Sequence, residues 1–158
     1  MASAPIVVIG VGNPLRADDA AGIAVVRRLR KRAGLRVLEQ SGEATALLDA
    51  LRGARAALIV DAAAGGRPGS LRRLDAAAQA LPQGLLGCST HGFGVAEGIE
   101  LARALGALPP VCVVYAIEGA HFEAGAPMSR AVRAAVAVLA RRIETEIGAR
   151  RDSVGRAI

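Results

Sequence analysis

A chain of 158 residues supplies enough apolar surface for one hydrophobic core and too little for two. Apolar residues make up 53% of it and aromatics only 2%, so the core must be built from Ala, Val, Leu and Ile, and almost no stacking platform is left for single-stranded bases. The net charge of +6 is carried almost wholly by arginine, Lys31 being the one lysine, and is read as a solvated surface or a docking face for an acidic protein rather than for nucleic acid.

In chain order, the β-branched run Pro5 to Val11 predicts a first strand, and the 3.6-residue spacing of Ile23, Val26 and Leu29 predicts a helix over Ala20 to Arg32. Asp18 or Asp19 stands where a carboxylate would cap that helix. Leu35 to Glu39 reads as a second strand and Ala44 to Leu51 as a short helix. A third, buried strand over Ala56 to Val60 ends on Asp61, followed by a Gly/Pro loop over Ala62 to Gly69. Ser70 to Asp75 reads as an edge strand displaying Arg72 and Arg73, and Ala76 to Cys88 as loop or broken helix. A helix is expected over Val95 to Leu105, stopped by Pro109-Pro110, then a buried strand over Val111 to Ile117. Ser129 is placed to cap the longest helix, Arg130 to Ile147, whose apolar face is Val132, Val136, Leu139 and Ile143; the polar tail from about 148 to 158 is expected to fray.

Strands alternating with helices predict an α/β fold. It is a three-layer α/β/α sandwich around a mostly parallel twisted sheet of about five strands, as a single domain over 1–158. No apolar run reaches the roughly 18–20 residues of a membrane span. No basic segment precedes an apolar stretch at Met1-Ala2-Ser3-Ala4-Pro5, so the expected compartment is the cytoplasm. Cys88 and Cys112 make neither a CxxC motif nor a disulfide framework, and Cys112, inside a strand run, reads as a buried thiol.

Three polar groups stand where strands end: Asp19 after strand one, Asp61 closing strand three, and His91 before the helix near Val95. Ligands in open α/β sheets bind at that edge. Two carboxylates and one imidazole make a mixed oxygen and nitrogen donor set for a divalent ion. Each also has a plain structural role: Asp19 as a helix cap, Asp61 as the cap of a turn, His91 as a surface histidine. His121, in a loop, is a weaker candidate.

The opening Gly10-Val11-Gly12 admits three readings. As a dinucleotide fingerprint it lacks the third glycine, Leu15 standing there, and the acids at the helix entry would repel a pyrophosphate. Gly10-Val11-Gly12-Asn13-Pro14 resembles the opening of peptidyl-tRNA hydrolases, but the catalytic histidine that follows in those enzymes is absent here. The third reading covers roughly Ile6 to Ile147. Gly12-Asn13, then Asp18-Asp19 and Gly22, resembles the hydrogenase maturation endopeptidases, and the likeness continues at Ile59-Val60-Asp61 and Ser89-Thr90-His91-Gly92-Phe93-Gly94. It extends through Val113 to Glu118 and Pro127 to Val136. Two departures are Ala20, where that family often has glycine, and the reduced turn Ser41-Gly42-Glu43-Ala44-Thr45.

That resemblance implies an endopeptidase that removes the C-terminal extension from the immature large subunit of a nickel-iron hydrogenase. It also implies that Asp19, Asp61 and His91 are its catalytic and metal-binding residues. The nickel is supplied by the precursor, and no tightly bound intrinsic metal is expected. Asp18 is then a cap or an acceptor that orients Asp19. The partner is the immature subunit, with no nucleic acid and no membrane. Alternatives are a non-catalytic nickel-binding chaperone using the same three residues and a peptidyl-tRNA hydrolase-like enzyme.

Overall fold

The computed structural model describes residues 3–86 and 94–155. Its elements are β1 (Ile6–Val11), a 3-10 turn (Ala17–Ala20), α1 (Ala21–Arg27), β2 (Leu35–Gln40), α2 (Ala44–Leu51) and β3 (Ala56–Ala63). These are followed by β4 (Leu71–Asp75), α3 (Val95–Ala104), β5 (Val111–Glu118) and α4 (Arg130–Gly155). They form a five-stranded sheet in the order β2-β1-β3-β5-β4, parallel throughout except for the antiparallel edge strand β4.

Strand alternation sorts the core into two layers. Val7, Ile9, Ile59 and Val114 face α2 and α3, where Leu47, Leu51 and Ile99 are buried. Val8, Leu58, Val60, Val113 and Ile117 face α1 and α4, where Val25, Val136, Leu139 and Ile143 are buried. Because β1, β3 and β5 are covered on both faces they read as continuous apolar runs, the pattern of buried parallel strands. The three-layer sandwich is the predicted one. Cys112 is buried within it, and burial pushes its thiol up to about 12.

Three boundaries differ from expectation. α1 stops at Arg27, five residues early, because Arg28 and Leu29 bond back to Val25 and Val26 in a tighter turn and the Arg30 N–H is taken by the Glu144 carboxylate at 2.7 Å. β3 does not end on Asp61: Ala62 and Ala63 stay paired with Ile117 and Glu118, which places Asp61 inside the strand. α4 continues through the supposedly frayed tail to Gly155, held by the Arg150–Glu146 ion pair at 2.7 Å and by the Arg55 guanidinium on the Arg150 carbonyl. The Ser129 cap is present, its Oγ accepting the Val132 N–H at 3.4 Å. Among the described residues no helix is long and apolar enough to cross a membrane.

Candidate active site

The chain runs from β1 outward to β2 and returns across it to β3, so β1 and β3 are the neighbours at which the winding direction changes. Their carboxyl ends form the crevice of a doubly wound sheet. Glycine lets the start of α1 press into it. A Cβ on Gly22 would lie 2.3 Å from the Val60 carbonyl oxygen and 2.5 Å from that of Val11, and one on Gly12 would lie 1.9 Å from the Asp19 carbonyl oxygen. The 3-10 turn carrying the two acids is therefore seated directly on the ends of both strands. Ala17 enters that turn at φ 45°, a conformation that costs a non-glycine residue about 1 kcal/mol or more.

The turn sends the two carboxylates in different directions. Asp19 folds back on the strand end, its Oδ2 accepting the Asn13 N–H at 3.0 Å. Asp61 accepts the N–H of Ala62 at 2.8 Å through Oδ1. Among the described residues each of these two carboxylates keeps its second oxygen without a protein donor. Both side chains belong to nearly buried residues. Burial pushes Asp19 up, against the Asn13 N–H and the Arg16 charge. Burial pushes Asp61 well up, against the Ala62 N–H, and the negative charge of Asp19 adds to the rise. The structure thus brings Asp19 and Asp61 into one electrostatic site. Two buried carboxyls, one of them sensing the other's charge, are suited to hold a proton or to accept a cation.

Asp18 does something else. It is fully buried, and its carboxylate accepts the N–H groups of Ala120 (2.8 Å), His121 (3.0 Å) and Ser129 (2.7 Å), while its own N–H donates to the His121 carbonyl at 2.9 Å. Burial opposes its ionisation, but those donors outweigh it and hold the carboxyl below its ordinary value. Neither Asp18 nor Asp19 caps α1, which starts at Ala21 behind Ala20 with no side-chain cap; the capping expectation is corrected. Asp18 instead anchors the loop between β5 and α4 to the loop after β1. His121 takes part in that anchor through its backbone only, and its side chain is exposed.

His91 and Cys88 lie outside the described residues. Among the described residues no group of three His, Cys, Asp or Glu side chains is close enough to hold a metal. Glu118, read only as a residue after the last strand, is that strand's final residue; it is buried, its carboxylate accepting the Gly66 N–H at 3.0 Å. Two features gave no sequence signal of their function. One is the Asn13 N–H on Asp19, a backbone group; the other is the Asp18 anchor, whose partners lie at least 102 residues away.

The family model of hydrogenase maturation proteases matches residues 23–146. The chain belongs to that family. The matched span contains Asp61 and His91 and begins just after the Asp18-Asp19 pair. The match favours the maturation-protease resemblance over the peptidyl-tRNA hydrolase one and places the protein among hydrogenase maturation proteases. Solved structures agree in fold. The protease is similar to the hydrogenase maturating endopeptidase HybD from E. coli at TM-score 0.76 and 22% identity, over 94% of this chain and 93% of that one. It is similar to the [NiFe] hydrogenase maturation protease HycI from Thermococcus kodakarensis at TM-score 0.69 and 23% identity, over 90% and 91% of the two chains. A solution structure of an endopeptidase from Escherichia coli gives TM-score 0.73 at 22% identity, over 88% and 89%. A search of the curated proteins finds no match.

Proposed function

We propose that this protease removes the C-terminal extension from the nickel-loaded precursor of a nickel-iron hydrogenase large subunit, recognising the precursor's nickel through Asp19, Asp61 and His91. The observation that carries the reading is that Asp61 senses the charge of Asp19 at the crevice between β1 and β3, each carboxylate having, among the described residues, one oxygen without a protein donor. A cation there would offset the burial that raises both carboxyls and the Asp19 charge that adds to the rise at Asp61. His91 enters the reading through its place in the sequence resemblance alone.

Oxygen donors from two separate segments, with one imidazole and no thiolate, make a weaker site than a closed four-ligand cage. Such a site suits transient engagement of a metal held mainly by the substrate, and keeps the protease from being satisfied by free nickel. The metal so engaged supplies Lewis acidity near the scissile carbonyl. Asp19 and Asp61 supply the anionic charge that draws the metal-bearing chain in, and Asn13 keeps the Asp19 carboxylate aimed.

The test is processing of nickel-loaded precursor, followed by mass spectrometry of the released peptide. Asp19→Asn and His91→Ala are expected to abolish release while the variants keep the wild-type far-ultraviolet circular dichroism. Full activity in Asp19→Asn would overturn the assignment. Nickel-dependent retention of the precursor with no peptide released by the wild-type chain would favour the chaperone reading instead.

A further inference from the structure

Between Asn13 and Asp19 the chain displays an apolar side chain that its own core does not use. Leu15 is 76% exposed; among the described residues only Leu101 and Leu105, both toward the end of α3, are other large hydrophobics classed as exposed. Leu15 is not on a loose loop. Its N–H donates to Asn13 Oδ1 at 2.9 Å, its carbonyl accepts the Gly125 N–H at 2.9 Å, and the neighbouring Arg16 N–H bonds the Asn13 carbonyl at 3.2 Å. Three residues on, Asp18 ties the same segment to Ala120, His121 and Ser129. Ordering a segment this firmly while leaving a leucine in water gains nothing for folding.

The position of that leucine supplies the reason. Asn13 bonds Leu15 through its side chain and the Asp19 carboxylate through its N–H, so two hydrogen bonds in series join Leu15 to Asp19. The backbone that carries the leucine is thereby tied to the segment that carries the carboxylate, while its side chain stands in solvent.

We propose that Leu15 is a substrate-docking residue, packing against an apolar side chain of the precursor next to the scissile peptide bond. This rests on the reading above that Asp19 belongs to the cleavage site. A rigid apolar prong binds without paying to order a flexible loop, so its contact adds directly to substrate affinity.

The experiment is steady-state processing of the nickel-loaded large-subunit precursor by full-length wild type, Leu15→Ser and Leu15→Met. Loss of the contact in Leu15→Ser should raise KM about tenfold with kcat held within about twofold, because the contact is made equally in the ground and transition states. Leu15→Met should restore KM, since it refills the same apolar volume. The melting temperatures of all three should agree, the side chain being exposed. An unchanged KM in Leu15→Ser, or a fall in kcat at constant KM, overturns the proposal. The nickel reading fails separately: if wild type cleaves metal-free and nickel-loaded precursor alike, nickel recognition is lost, while a raised KM in Leu15→Ser still supports docking.

Discussion

Asp18 and Asp19 have the same side chain on adjacent residues, and their surroundings drive them in opposite directions. Three backbone N–H groups hold Asp18 ionised, whereas burial against a single N–H leaves Asp19 raised. Asp18→Asn removes the charge from a fully buried acceptor of three donors, and a charged hydrogen bond of this kind contributes about 1.5–3 kcal/mol, so a stability loss of that order is expected. The folded carboxyl sits below its unfolded value, so this contribution is complete above the ordinary carboxylate range and is lost as the pH falls through the folded value. Urea unfolding of wild type and Asp18→Asn should show a gap at neutral pH that narrows in acid. Asp61 runs the other way. Its folded carboxyl is raised, so the folded state favours the protonated form at low pH and is penalised as the pH rises through the folded value. Asp61→Asn is therefore expected to be at least as stable as wild type at neutral pH, by thermal melting, while losing precursor processing. At this scale the sequence exposed what lies close to a strand end, Asp19 and Asp61, and hid what depends on distant chain. Nothing near Asp18 in the sequence announces Ala120 or Ser129.

Among the elements, those set by apolar periodicity were legible and those set by polar capture were not. α2 runs over the predicted Ala44 to Leu51, and the strands begin within a residue of expectation. α1 ends early because the Glu144 carboxylate, from α4, takes the Arg30 N–H and pairs with the Arg32 guanidinium, a competition invisible in the local pattern. α4 extends because Glu146, which also joins Arg73 and Tyr115, gives Arg150 a partner one turn on. The joint between α1 and the sheet is the element on which the site depends. A methyl group at Gly22 would meet backbone oxygens of both Val11 and Val60 well inside contact distance, and neither can swing away. Gly22→Ala should cost about 1–3 kcal/mol by overpacking and should displace the turn that carries Asp19. Chemical denaturation measures the first effect. A loss of processing larger than the stability change at the assay temperature reports the second.

For the whole molecule, alternating strands and helices in the sequence were enough to expect three layers and a mostly parallel sheet. They did not reveal the strand order, because the pairing of β1 with both β2 and β3 is a fact of long-range packing. That order matters, since it puts the change of winding between β1 and β3 and so gathers Asp19 and Asp61 at one crevice. In the proposed function this crevice reads a metal already carried by the substrate. The most direct measurement is cleavage of one large-subunit precursor, prepared metal-free and nickel-loaded, by the same purified protease whose own metal content has been determined. The expected result is a protease without stoichiometric nickel, release of the C-terminal peptide from the loaded precursor, and none from the metal-free form. Equal release from both would contradict it.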